Sequence, residues 1–406
     1  GYAVPPDERA ALKGAVEATA DPALAQNFKF FEALANWQTT ARLARPETLT
    51  ATIAAEEARM NREGATSQDI DALDAMKKLR DTIADGVDKD MLGLAERMNL
   101  TNVPGLDPQN FTASLVSRKA VAETIATHYG REPQYFKAGE IEALTRAFAV
   151  NPDQLVGFAV SVREAMGDKT PDALKQISKQ APLIAHTAGI AFATKDDRLL
   201  RETAEAMKRK AVEGYKPVKL PDAARDVLIS STLGPALSRL PETQAAALAT
   251  ADMLFDLRAQ GAGADPASEE AKTIYEASLN DALGAEGETG GVQTVNGTET
   301  LVPPGLTGQG IDAALNALTD ADLKALPPIG TPTGVPVRAD DLRNARLVAI
   351  GLGQYWVALG DPQSANPRYA QTPSGDFWVL DAEQLMKIAG GRLPDRSFGG
   401  GRRGAE

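Results

Sequence analysis

The chain contains no cysteine and only two histidines. Without cysteine, disulfide frameworks and zinc sites built on thiolates are excluded, and the chain suits passage from a reducing cytosol to an oxidising exterior. Neither His128 nor His186 has a second histidine three or four residues away, so no metal-binding helix face is predicted. Both histidines are expected to have structural or solvent-facing roles.

Aromatic residues are also scarce, at 5% of the chain, and alanine occupies many of the apolar positions. Alanine has the highest helix propensity, whereas strands favour β-branched and aromatic residues. No apolar run approaches the roughly 18 residues of a membrane span, and the N-terminus lacks the features of a signal peptide. The composition predicts a mainly helical protein without a transmembrane segment. The absence of an initial Met suggests a processed chain or a fragment.

Positive charge is in deficit, because the formal net charge is -12 and the isoelectric point is near 4.9. A protein dedicated to nucleic-acid binding needs a basic face, so this class is disfavoured. The chain has 406 residues, of which 43% are hydrophobic. This length and composition predict two or three domains with cores of their own.

Prolines divide the chain up to about residue 285 into runs of typical helix length. Four are expected at first helical positions: Pro152, Pro171, Pro182 and Pro221. An earlier run places Leu24, Phe28 and Phe31 at helical spacing. No fixed repeat period is present, which favours an irregular helical bundle or an unclassified α-solenoid. We expect an N-terminal helical region over residues 1–130 and a second over 131–285.

The pattern changes after residue 284. A flexible break is predicted where three glycines cluster: Gly287, Gly290 and Gly291. Asn296 and Gly297 then predict a structural turn of the two-residue type I′ class, with Val292 opposite Leu301 and no strand before Val292. Residues 286–330 are therefore expected to form this hairpin and two short helices, over 311–318 and 320–326.

Residues 331–392 are expected to form a small α+β module, followed by a flexible tail over 393–406. Strands are predicted at 347–350, 354–359 and 377–380, and Asp381 with Gln384 predicts a capping box for a closing helix. The expected core of this module has four aromatic residues: Tyr355, Trp356, Phe377 and Trp378. The predicted fold class is thus mainly α, with a helical bundle or solenoid followed by this module.

Motifs that carry chemistry are missing. The chain has no Gly-x-Ser-x-Gly elbow and no phosphate-binding Gly-x-x-x-x-Gly-Lys-Ser/Thr loop. Adjacent carboxylates such as Glu56 and Glu57 project about 100° apart on a helix, so they predict a solvated surface rather than a shared site. No catalytic, cofactor-binding or metal-binding residue is predicted, and no small-molecule ligand is expected.

Several segments together resemble the C-terminal region of large virion proteins of tailed bacteriophages and related prophages. They lie within residues 233–385 and include 240–254, 290–305, 347–355 and 377–381. Proteins of that family are internal-core or DNA-ejection components, and many also carry a lytic transglycosylase domain. That domain depends on a Glu-Ser dipeptide and a Gly-Leu-Met-Gln segment, and neither occurs here. The resemblance therefore implies a structural role and gives no basis for a catalytic one.

The expected function is that of a virion structural protein, an internal-core or DNA-ejection component or a segment of one, which acts by assembly. Its expected partners are copies of itself and other virion proteins, with phage DNA or the host envelope encountered during ejection. Its expected location is the phage particle, and the host periplasm after ejection. Two alternatives stay open: a peptidoglycan-degrading virion enzyme, and a bacterial helical scaffold or adaptor unrelated to phage.

Overall fold

The computed structural model describes residues 6–331, 335–364 and 366–390, so the predicted tail over 393–406 lies outside the described residues. The chain divides into two compact units. The first comprises residues 1–141 and 164–166, and the second comprises 142–163 and 167–406. The predicted fold class is confirmed, because helices dominate and two small antiparallel sheets lie in the C-terminal part.

Long helices form the first unit. They are α1 (Pro6–Thr19), α2 (Pro22–Ala41), α3 (Pro46–Glu63), α4 (Ser67–Arg97) and α5 (Phe111–Tyr129). A capping box starts α4, since Thr66 and Asp69 exchange backbone and side-chain hydrogen bonds. Inside α4, Asp90 leaves the helical conformation, and its carboxylate accepts a hydrogen bond from the N–H of Gly93. Asp90 therefore acts as an internal cap at a kink.

The core of the first unit lies along α4 and α5. Ile83, Met91 and Leu92 of α4 are fully buried, as are Leu115 and Ala122 of α5. Helices α3 and α4 also pack together. In contrast, α2 buries only its last residue, so much of its length has no cover within the unit.

Eight further helices lead into the second unit. They are α6 (Glu140–Val150), α7 (Asp153–Met166), α8 (Thr170–Ser178), α9 (Pro182–Thr194), α10 (Arg198–Lys210), α11 (Asp222–Leu233), α12 (Pro241–Ala262) and α13 (Glu269–Ala282). The proline prediction is right only for Pro182. Pro171 is the second residue of α8, while Pro152 and Pro221 precede their helices. All these positions suit proline, because the first backbone N–H groups of a helix have no intrahelical partner.

The predicted hairpin is present. Strands β1 (Gly291–Val295) and β2 (Thr298–Val302) pair antiparallel, with Val292 opposite Leu301. Asn296 and Gly297 form the turn, both with positive φ. The first strand begins one residue earlier than predicted. The hairpin is followed by α14 (Gly308–Ala317), a 3-10 helix over Asp322–Ala325 and α15 (Ala339–Arg343).

The C-terminal sheet has the order β3 (Arg346–Gly351), β4 (Gln354–Ala358) and β5 (Val379–Asp381), all antiparallel. Helix α16 (Ala382–Ala389) closes the fold. Asp381 caps α16 by accepting the N–H of Gln384, as predicted. The reciprocal half of the capping box is wrong, because the side-chain amide of Gln384 donates instead to the carbonyl of Ala325.

Of the four aromatic residues predicted to form the core of the C-terminal module, two are not fully buried: Trp356 and Phe377. Tyr355 and Trp378 are buried in a core that runs from α12 and α13 through the hairpin to the C-terminal sheet. Trp356 is only half-buried and Phe377 is 43% exposed. Successive side chains on a strand point to opposite faces of a sheet, so Tyr355 and Trp356 cannot share one core. The core assignment is therefore wrong for Phe377 and only partial for Trp356.

Replacing Gly297 with Val should destabilise the second unit by roughly 1 to 2 kcal/mol, because a β-branched residue is strained at positive φ. Gly297 has φ +70°, and a Cβ placed there would meet no atom within 4 Å. The cost is thus conformational rather than steric. Thermal unfolding measures it, and Gly297→Asn is the control, since Asn tolerates this conformation. Equal midpoints for the Val variant and the parent would contradict this account of the turn.

Candidate functional site

A cleft of about 1330 Å³ opens within the second unit. Its lining includes residues of α8, of α9 and of the start of α12. It also includes residues of the segment after β2, of the turn between β3 and β4, and of α16. Residues far apart in sequence thus meet at one concave surface of a size that ligands and peptides occupy.

Much of the cleft lining is apolar. The main contributors are Leu174, Phe192, Pro303, Leu306, Leu352 and Met386. Leu352 is 43% exposed at the rim, because it occupies the two-residue turn that joins β3 to β4. When a partner covers a large apolar side chain that is exposed at the rim of a cleft, apolar surface leaves water, and this lowers the free energy of the complex.

Charged residues of both signs also line the cleft. Lys175 and Lys195 contribute positive charge, and Asp168, Glu242 and Glu383 contribute negative charge. The lining therefore has no single strong sign. This balance favours an occupant that is close to neutral, because neither a polyanion nor a polycation would meet a uniform field.

His186 lines the cleft from α9. Its Nε2 lies 2.7 Å from the carbonyl oxygen of Ala282, and desolvation lowers the pKa of the imidazole below its usual value. The ring is thus neutral near pH 7. Because a carbonyl only accepts hydrogen bonds, Nε2 carries the proton and Nδ1 is left as an acceptor. The structure gives His186 a fixed tautomer and a bond that joins α9 to the end of α13.

Other ionisable groups of the second unit hold helices together. Arg225 donates to both carboxylate oxygens of Asp252, at 2.9 and 2.8 Å, and the hydroxyl of Tyr275 donates to the same carboxylate at 3.0 Å. Asp256 accepts from the Tyr215 hydroxyl at 2.7 Å. Burial raises the pKa of Tyr215 to about 12, so this hydroxyl remains a donor at neutral pH. These carboxylates fix α12 against its neighbours.

Helix α2 carries the second candidate surface, on the first unit. In its 20 residues only Lys29 and Glu32 are charged. Leu24 is 41% exposed and Phe31 is 58% exposed, and Phe28 between them is half-buried. Their spacing of i, i+4 and i+7 places all three on one face, named here the α2 stripe. A helix face that remains in water normally carries charged residues, so the α2 stripe resembles a face that is covered in use.

A smaller apolar patch lies on the open face of the C-terminal sheet. The ring of Trp356 contacts those of Tyr369 and Phe377, with centroid distances of 5.9 and 4.8 Å. Val379, opposite Trp356 on β5, is 37% exposed. The rings meet edge to face or tilted, an arrangement that stabilises the cluster itself. The sequence-predicted aromatic residues therefore contribute to both faces of this sheet.

The predicted turn residues have a structural role. The side-chain amide of Asn296 donates to the carbonyls of Arg343 and Ala345, at 3.0 and 2.8 Å, and its backbone N–H donates to Asp312 at 2.8 Å. The turn thereby ties the hairpin to α14 and to the segment between α15 and β3.

Sequence reasoning missed both candidate surfaces. The helical spacing of Leu24, Phe28 and Phe31 is visible in the sequence, but it does not show that these side chains lie outside the core of their own unit. The cleft gave no such signal, because its lining comes from separate segments between residues 163 and 386. Only the packing of these segments brings Leu174, Leu306 and Leu352 to one surface.

Comparison with family models, curated proteins and solved structures produced no match to this chain. Across residues 6–331, 335–364 and 366–390, no helix combines the length and apolarity needed to cross a bilayer. Within the same described part of the chain, no three His, Asp or Glu side chains are grouped so that they could hold a metal ion.

Proposed function

We propose that this chain is a structural protein of a bacteriophage virion, an internal-core or DNA-ejection component that acts by assembly. The observation that carries the assembly role is the α2 stripe, whose Leu24 and Phe31 are 41% and 58% exposed on a helix with only two charged residues. The phage assignment is supported by the resemblance of residues 233–385 to virion proteins.

Energetics favour covering the α2 stripe. Transfer of a Leu or Phe side chain from water to an apolar contact stabilises a complex by roughly 1.5 to 3 kcal/mol at full burial. Each chain has a formal net charge of -12, so approaching copies repel one another at long range. The contacts that hold copies together must therefore be apolar and local.

Raising the salt concentration should strengthen self-association of the chain. Between about 50 and about 500 mM salt, the Debye length falls well below the size of the protein, which screens the repulsion between acidic copies. Apolar contacts are not weakened by this screening. Sedimentation velocity across this range measures the effect. Dissociation with added salt would instead indicate contacts made by opposite charges and would contradict the proposal.

The virion role is tested by particle composition. Mass spectrometry of purified particles from the source phage or induced prophage should detect peptides of this chain at many copies per particle. Absence from particles would overturn the phage assignment and leave a bacterial scaffold in its place. Release of anhydro-muropeptides from purified peptidoglycan by the isolated chain would overturn action by assembly alone and favour the enzymatic alternative.

A further inference from the structure

The two candidate surfaces have opposite shapes, since the α2 stripe is a convex helix face and the cleft is concave. We propose that the α2 stripe of one copy docks into the cleft of a second copy. This inference rests on the proposed function, because it specifies how repeated copies would assemble. It assigns the first unit of one chain as donor and the second unit of the next chain as receptor.

The sizes are compatible. Residues 24–34 of α2 span about 16 Å at 1.5 Å per residue, and a helix with its side chains is about 10 Å wide. The cleft has a volume of about 1330 Å³, which is large enough to receive the apolar face of a helix of about three turns.

The chemistry of the two surfaces is also matched. Anchors at i, i+4 and i+7 on one helix face are the usual ligand of an apolar groove, and Leu24, Phe28 and Phe31 supply them. Among the residues that line the cleft, Leu352 is 43% exposed, and Met386 is mostly buried with part of its side chain on the cleft surface. A methionine side chain adapts its shape to an incoming aromatic ring and makes favourable sulfur–aromatic contacts.

Charge favours this occupant over an acidic or a basic one. The docking segment carries only Lys29 and Glu32, and the cleft lining offers carboxylates and ammonium groups to both. A nearly neutral helix enters such a cleft without adding to the repulsion between chains of net charge -12.

The proposed contact is heterologous, because the donor and receptor surfaces differ. Each copy has one α2 stripe and one cleft, so one copy can bind a neighbour through each of these surfaces. Such contacts close into a ring of two or more copies or continue as an open filament. This geometry suits a protein that is repeated within a particle.

Three variants of the full chain test the inference: Phe31→Glu in the donor, Leu352→Glu in the receptor and Val227→Glu as control. All three residues are exposed, at 58%, 43% and 67%, and Val227 lies on α11 outside the cleft. We expect each of the first two substitutions to weaken assembly at least about tenfold, as loss of a central apolar anchor does. The control should assemble like the parent chain.

Mixing the two defective variants gives the deciding result. Phe31→Glu retains an intact cleft and Leu352→Glu retains an intact α2 stripe, so an equimolar mixture should form a dimer and nothing larger. Sedimentation velocity distinguishes this dimer from the monomers formed by each variant alone. A circular dichroism spectrum equal to that of the parent and a cooperative thermal transition establish that each variant is folded.

A photo-crosslinking amino acid at position 31, mixed with isotope-labelled parent chain, maps the receptor. Crosslinks to residues 303–306 or 351–354 of the labelled chain are expected.

Crosslinks between copies at another surface, normal assembly of Leu352→Glu, or no dimer in the mixture would overturn the cleft as receptor while leaving assembly intact. Loss of assembly in the Val227→Glu control would overturn the docking inference, because added charge alone would then suffice. A parent chain that stays monomeric would overturn the assembly role itself.

Discussion

Replacing Arg118 with Ala is expected to lower the free energy of unfolding of the first unit by roughly 3 to 5 kcal/mol. Arg118 is fully buried on α5, where its Nε donates to the carbonyl of Pro104 at 2.8 Å and Nη2 donates to the same oxygen. Nη1 donates to the carboxylate of Glu140. The Ala variant leaves this carbonyl and carboxylate without their charged donor and opens a cavity in the core.

The loss of stability should be greatest in the backbone segment around Pro104, whose carbonyl accepts the hydrogen bonds of Arg118. Hydrogen exchange of residues 99–110 is expected to accelerate most, and urea unfolding gives the total change. Arg62→Ala is the matched control, since Arg62 is exposed on α3 of the same unit and its replacement should change stability by about 0.5 kcal/mol or less. If the two Ala variants unfold at the same midpoint, the buried arginine does not hold this segment.

Arg118 also illustrates where sequence-based prediction ends. Asn110 caps the start of its helix and Gly130 ends it, and both residue types are common at these positions. The burial of an arginine was not predictable, because nothing in the local sequence distinguishes Arg118 from Arg62. Burial depends on whether distant groups, here Pro104 and Glu140, supply acceptors that offset the cost of desolvating the guanidinium.

Local turn chemistry was the most predictable feature. The positive φ angles of Asn296 and Gly297 follow from their residue types, and they set the pairing of Val292 with Leu301. Which side chains are buried by elements distant in the sequence was less predictable. Trp356 and Phe377 are as apolar as the buried Trp378, yet the side of the sheet that they face depends on which elements cover it.

The two candidate surfaces also combine features that the sequence predicts with features that only tertiary packing determines. The composition and spacing of α2 could be read from the sequence, but whether α2 is covered depends on tertiary packing. In the structure its stripe is left open, with Phe31 58% exposed. The cleft required the fold itself, because Leu352 on a strand turn and Phe192 on a helix meet only through packing.

The glycines before β1 were expected to form a flexible break, and the structure instead packs one of them tightly. Gly290 has φ +69°, and a Cβ at this position would lie 2.2 Å from the carbonyl oxygen of Gly284 and 3.1 Å from Cα of Pro304. Its N–H donates to the carbonyl of Leu306 at 2.8 Å. Two backbone segments approach each other here because Gly290 has no side chain.

Gly290→Ala is therefore expected to destabilise the second unit by roughly 2 to 5 kcal/mol, since the strain of positive φ adds to an overlap with backbone atoms that cannot rotate away. Gly287→Ala is the matched control. Gly287 has φ +60° but no atom within 4 Å of an added Cβ, so it should lose only about 1 to 2 kcal/mol. Thermal and urea unfolding of both variants measure the difference. If the two variants lose similar amounts of stability, the backbone around Gly290 can move to accommodate the added methyl group at little cost in free energy. The close approach at Gly290 would then not determine the position of this backbone. A larger loss for Gly290→Ala would establish this approach as a rigid support for Pro304 and Leu306, which line the cleft.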